Sequence, residues 1–307
     1  MAGFLLRRLL ISIPTLLVII TIAFFMMRAA PGGPFDEERQ LTPQVEKNIL
    51  AAYDLDQPLI VQYFRYVGGV LQGDFGPSFK YRDFTVAELL MTGFPPSLKV
   101  GGSAIALAIL LGIGLGTMAA LRQNSALDYT FMTTAMVGIT IPNFVMAPLL
   151  TLIFGVFLGW LPVAGWGDGG FRHLLLPVIA LALPQIAYIA RLTRGSLIEV
   201  LNANFIRTAR AKGLREQIVV TRHALKAALL PVVSYLGPAA ANLITGSVVI
   251  ETIFGIPGIG RYLVQGALNR DYTLVMGAVI VLALVVLILN LIVDVIYGFL
   301  DPKIRQR

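Results

Sequence analysis

The chain has 307 residues, 57% of them hydrophobic and 13% charged, with no cysteine and a net charge of +7. A soluble domain carries roughly 25% charged residues, so this composition excludes an ordinary soluble fold and makes lipid the natural solvent for the excess apolar surface. The missing cysteines exclude disulfides, thiolate metal sites and cysteine nucleophiles, and the cations cluster between apolar runs, which points to loops on one side of a membrane and not to a nucleic-acid surface.

A helix needs roughly 20 apolar residues to cross the hydrocarbon core, and six stretches meet that need. Arg7 and Arg8 precede the first, Leu9–Met27. It is long enough to span and no small-residue cleavage site precedes Pro31, so it reads as an uncleaved helix and not a signal peptide. Residues 30–97 follow as an extracytoplasmic segment. Within it Thr42 and Pro43 mark a helix start running to about Tyr53, and Pro58 opens a second helix, Leu59–Leu71. Val100–Leu121, between Lys99 and Arg122, is the second span. Tyr129–Gly167 is charge-free and broken by Pro142, Pro148 and Pro162; it predicts one span ending near Leu158 and an interfacial loop holding Trp160 and Trp166. His173–Ala190, Ala227–Ile250 and Tyr272–Val293 complete the six. Gly112, Gly116 and Ala120 form a small-residue ridge suited to close helix packing within the chain.

Orientation follows from Lys and Arg in the loops. Arg7 and Arg8, the segment 191–226 with its eight cations against Glu199 and Glu216, and the tail 301–307 with Lys303, Arg305 and Arg307 all fall on one side if there are six spans. That side is expected to be the cytoplasm, with both termini there. The loop at Trp160, the region of Tyr262 and the acidic residues Asp36, Glu37, Glu38, Asp54 and Asp56 then face outward.

Enzyme motifs are missing. Gly73-Asp74-Phe75-Gly76 has the letters of a kinase metal motif without its companions. Gly255-Ile256-Pro257-Gly258-Ile259-Gly260 lacks the strand-to-helix context of a nucleotide loop, and no G-x-x-x-x-G-K-[ST] occurs. Any ATP hydrolysis must therefore belong to a partner. His173 and His223 are expected on opposite sides of the membrane, which rules out a shared metal. Glu251 and Asp294 lie near span ends and read as structural, whereas a proton-coupled carrier needs midplane ionisable groups.

Asn204–Gly213 stands out in the cationic loop. Asn204 can cap a helix start, Gly213 can take a left-handed C′ position, and Arg210 and Lys212 fall in the last turn, where cations favour the helix dipole. Phe205, Thr208, Ala209 and Lys212 are expected on one face. Such a helix fits a groove on a partner, and equally an anionic lipid surface.

The same segment resembles the cytoplasmic "EAA" loop of binding-protein-dependent ABC importer permeases. Arg207, Thr208 and Ala209 fill the Glu-Ala-Ala places and Gly213 the glycine; His223 and Lys226 stand where the general pattern has Ile and Pro. Arg-Thr-Ala-Arg-Ala-Lys-Gly is similar to the peptide-transport branch. Phe24–Arg28 with Pro31-Gly32 and Pro34-Phe35, then Gly73–Tyr81, Val249–Gly260 and Asp301-Pro302-Lys303, resemble the first permease of oligopeptide systems more than dipeptide, nickel or glutathione relatives. The resemblance implies an all-α, type I ABC importer transmembrane fold in a bacterial cytoplasmic (inner) membrane, with residues 98–300 as the core permease region. It implies a second homologous permease, two ATP-binding subunits, an extracytoplasmic peptide-binding protein, no cofactor and no catalysis by this chain. It makes Phe205, Arg207, Thr208, Ala209, Arg210, Lys212 and Gly213 the residues coupling it to an ATPase, and names no peptide-contacting residue. A secondary carrier and a channel are the competing classes.

Overall fold

The structure, a computed structural model, describes residues 2–29, 56–81 and 83–300. Its helices are α1 (Ala2–Ala29), α2 (Leu59–Leu71), α3 (Val86–Leu121), α4 (Ala126–Thr140) and α5 (Asn143–Leu150, continued by a π-helical turn Thr151–Phe157). Then come α6 (Phe171–Leu201), α7 (Asn204–Ala211), α8 (Leu230–Phe254), α9 (Ile259–Leu268) and α10 (Tyr272–Leu300). Short helical turns over Glu216–Ile218, Val219–Ala224 and Leu225–Ala228 lead from α7 to α8. Among the described residues the one extended pairing is an isolated bridge between Pro77 and Thr85. The expected helix from Pro43 to Tyr53 and the tail 301–307 lie outside the described residues.

α1, α3, α6, α8 and α10 are long and apolar enough to cross a membrane, and α4 with α5, bent by 105°, makes six if the pair crosses as one span. The 105° bend is what the expectation of one span ending near Leu158 did not include. Pro142 disfavours the helical region at the residue before it, and Ile141 is extended at φ −100°, ψ 119°. The span resumes at Asn143 and ends at Phe157, and the loop with Trp160 and Trp166 follows as expected.

Two helices overrun their expected ends because charge stops a hydropathy run without stopping a helix. α3 begins at Val86, where Thr85 and Glu88 form a reciprocal capping box. It passes straight through Lys99, whose Nζ donates to the Gly169 carbonyl at 2.6 Å and lies 5.8 Å from the Trp166 ring. α6 likewise continues past Arg191 and Arg194 to Leu201.

α2 starts after Pro58, as its sequence predicts. It packs on the last turns of α1, with the Tyr63 and Thr21 hydroxyls 2.7 Å apart and the Phe24 ring against Tyr63 and Tyr66. Ile60, Phe64 and Leu71 remain exposed on it, an apolar face suited to the membrane interface. Arg8 Nε pairs with Asp294 Oδ2 at 3.1 Å, setting the start of α1 beside the end of α10.

The core is centred on α3 against α6. Val100, Ala104 and Ala108 of α3 meet Leu181, Ile186 and Ile189 of α6. A Cβ on Gly112 would lie 2.6 Å from Ile189 Cγ2, and one on Gly116 2.5 Å from the Ala190 carbonyl oxygen. Both distances are below van der Waals contact, so the small-residue ridge serves packing within the chain. At the bundle end remote from α7, fully buried Glu251 of α8 accepts from Ser97 Oγ of α3 at 2.7 Å and from the Gly260 N–H at 2.8 Å. The Ile259 N–H donates to Ser97 Oγ at 2.9 Å, so the three elements close one node.

Gly116→Ala is expected to destabilise the fold by about 1–3 kcal/mol through overpacking. Gly114→Ala, whose Cβ would meet open space, should hold or slightly raise the unfolding temperature; thermal unfolding of the two variants followed by circular dichroism makes the comparison.

Candidate functional site

The site is built where α6 ends. The Asn202 N–H turns back to the Glu199 carbonyl at 3.2 Å. Ala203 is extended at φ −70°, ψ 152° and occupies the N-cap position without a side-chain hydrogen bond. This corrects the cap assigned to Asn204, which is the first helical residue. At 1.5 Å per residue α7 is about 12 Å long.

Ile206 and Ala209 are 0% and 7% exposed. They pack into a small core with Ala120 at the end of α3, Leu197 near the end of α6, and Val219, Ala224 and Ala228 on the way to α8. The expected face of Phe205, Thr208, Ala209 and Lys212 is therefore divided. Ala209 turns inward with Ile206, because those are the positions whose apolar side chains the chain itself can cover. Phe205, Arg207, Thr208, Arg210 and Lys212 stay exposed.

The far end of α7 is closed as the sequence predicts. Gly213 has φ +74°, a region costly for side-chain-bearing residues, and its N–H donates to the Arg210 carbonyl at 2.9 Å. Arg210 then reaches forward to Glu216, Nη2 to Oε1 at 2.6 Å and Nε to Oε2 at 3.1 Å. These hydrogen bonds hold Glu216 below the usual carboxylate range and raise Arg210. With its folded pKa depressed, Glu216 contributes stability at neutral pH that is lost as pH falls through that value. Both partners are well exposed, which limits the pair to under about 1 kcal/mol.

A second clamp, which the loop-charge reading missed, lies close by in the chain. Arg194 Nε and Nη2 each donate to a different oxygen of Asp128 at 2.6 Å, and the Asn124 N–H donates to Asp128 at 2.9 Å. Asp128 is 1% exposed, so the pair ties the α3–α4 turn to α6. The signal was present as Ser125-x-x-Asp128, a helix-start pattern. Of the two histidines, His173 in the first turn of α6 lies 3.7 Å from Asp168 in the preceding loop, and His223 lies in the turn after α7. Among the described residues no group of three or more His, Asp or Glu could hold a metal ion.

A family model described as "Binding-protein-dependent transport system inner membrane component" matches residues 112–306, and a companion model for the N-terminal part of such membrane components matches residues 1–98. The chain belongs to this family. Over 99% of its length it is 56% identical to the whole of "Oligopeptide transport system permease protein OppB" of Escherichia coli K12. It is 45% identical, over 99% of this chain and 98% of the relative, to "Dipeptide transport system permease protein DppB" of Bacillus subtilis. A chain of the MetNI methionine ABC transporter, solved in inward-facing conformations, aligns with 69% of this chain and 96% of its own at a TM-score of 0.56 and 19% identity. That likeness supports the fold. The chain is thus a multi-pass, all-α ABC importer permease, and α7 lies inside the region the family model covers.

Gly213→Val is expected to strain the loop by about 1–2 kcal/mol. Limited proteolysis should then cut the 204–216 region faster than in the unaltered protein while the spans remain protected.

Proposed function

We propose that this permease carries oligopeptides inward across a bacterial inner membrane and that α7 is the helix through which partner ATPases drive it. The full-length 56% identity to an oligopeptide permease carries the substrate reading. The dipeptide relative at 45% makes shorter peptides the second reading. The termini and α7 lie on the cytoplasmic side, supported by Arg7, Arg8 and the cations of 191–226. The partners are a second homologous permease related by a pseudo-twofold axis, two ATP-binding subunits, and a peptide-binding protein docked outside near the Trp160 loop and α9.

In this reading the exposed residues Phe205, Arg207, Thr208, Arg210 and Lys212 enter a cleft on an ATPase, while Ala209 with Ile206 anchors the lever to the bundle and Gly213 with the Arg210–Glu216 pair fixes its exit. ATP binding closes the ATPase pair and moves α7 as a rigid body. The bundle then passes from inward-facing to outward-facing, a two-state change biased by the nucleotide. Hydrolysis resets it. The permease supplies path and lever, and bond chemistry stays with the ATPases. Residues 98–300 act as the core permease region, and the segment after α1 is an outer addition to it.

Arg210→Glu combined with Gly213→Pro should abolish nucleotide-dependent uptake of labelled peptides in reconstituted vesicles while membrane insertion persists; normal uptake would overturn the lever. Thr208→Cys, introduced into this cysteine-free chain, should cross-link to an ATPase subunit. Uptake without an ATPase partner, and sensitive to ionophores, would indicate a secondary carrier instead.

A further inference from the structure

α8 carries an uncommon outer face for a membrane helix. Pro231, Ser234, Pro238, Asn242, Val249 and Thr252 are all exposed. Their spacing of three, four, four, seven and three residues places them on one side along the whole helix. The exposed side of α10 is different, with Leu284, Ile288, Ile292 and Ile296 at every fourth position. Hydrocarbon suits the second face. It penalises the first, where an amide, hydroxyls and proline backbone sit in a span. Pro238 has no N–H, so the Ser234 carbonyl loses its helical donor and becomes a further acceptor on that face. The helix runs unbroken through Pro238, and a backbone carbonyl freed in this way is tolerated at membrane depth where protein groups or water satisfy it.

The face continues onto α6. Tyr235 Oη donates to Gln185 Oε1 at 2.8 Å, and the Tyr235 and Tyr188 rings lie 5.6 Å apart. Arg191 stacks its guanidinium 5.1 Å above the Tyr188 ring. Its head is exposed, about three turns before α6 ends, and none of the ion pairs among the described residues involves it. Arg191 directly follows the apolar stretch His173–Ala190, so it stands at the proposed cytoplasmic mouth of the span, where a planar guanidinium is well matched to a carboxylate.

We propose that this face of α8, together with Tyr188 and Arg191 of α6, is the wall along which the peptide passes. Asn242 and the freed Ser234 carbonyl take the peptide main chain, and Arg191 takes its terminal carboxylate. Main-chain and terminal groups are what peptides of any sequence share, so such a wall admits varied side chains. The assignment rests on the peptide-import reading.

The test uses the complete reconstituted transporter with its binding protein, and single cysteines in a chain that has none of its own. Asn242→Cys and Ile288→Cys are exposed to an anionic, water-soluble methanethiosulfonate, which reacts with thiolate. The expected result is modification of Asn242→Cys at least about ten-fold faster than of Ile288→Cys, because only a hydrated thiol ionises, and slowing by a tripeptide during turnover. An unreactive Asn242→Cys both with and without ATP, or one that cross-links to the second permease instead, would overturn the proposal. In the second arm, Arg191→Gln should lower uptake of a free-acid tripeptide about ten-fold relative to its C-terminal amide, each normalised to the unaltered transporter; a factor of ten corresponds to ~1.4 kcal/mol. Arg191→Lys should restore part of the difference. Equal loss for acid and amide would remove Arg191 from the site. If the unaltered transporter took up no peptide, the import reading would fail, while the labelling contrast would still report whether the face is wet.

Discussion

The close approach of α3 and α6 is the contact on which the other parts depend. In lipid no hydrophobic effect draws two helices together, so packing must do so. Gly112 and Gly116 let the α3 backbone reach Ile189 and the Ala190 carbonyl with no room for a Cβ. The same pair of helices, continued to its end, supplies Ala120 and Leu197 to the small core under Ile206 and Ala209. The proposed lever is therefore seated on a closely packed seam of the bundle, and a loop-borne helix of eight residues has a defined position.

Three contacts of different strength secure that end. Burial of Ile206 and Ala209 holds α7 down. The Arg194–Asp128 pair, bidentate and nearly closed to solvent, fixes the α3–α4 turn to α6. The Arg210–Glu216 pair is exposed and contributes little energy, but it sets where the chain leaves α7. Strong contacts face the bundle and weak ones face outward, the distribution the proposed lever needs in order to grip its own chain and engage a partner reversibly.

Much of this was legible in the sequence, for identifiable reasons. Apolar runs marked five spans and the bent pair α4–α5 because each comes close to or exceeds the roughly 20 residues a crossing needs, and Gly213 marked the end of α7 because few other residues adopt φ +74°. Charge misled at Lys99 and Arg191: both lie inside helices, one covered by Gly169 and Trp166, the other stacked on Tyr188. The inward turn of Ala209 was hidden because which side of a short helix is covered depends on Ala120, Leu197 and Val219, remote in sequence. The bend at Ile141 was half legible: Pro142 announced a break, but not that the helix would resume at Asn143 in a new direction.

α3 carries one more consequence. Ser97 belongs to the Glu251 node at one end of the bundle, and Ala120 to the seat of α7 at the other. The 23 intervening residue steps amount to about 35 Å of unbroken helix, a little more than the thickness of a hydrocarbon core. Both sides of the membrane are thus touched by a single stiff strut. A tilt imposed at either foot arrives at the other without passing through any loop, so in the proposed assembly a docked carrier outside and a nucleotide engine inside would sense the orientation of the same object.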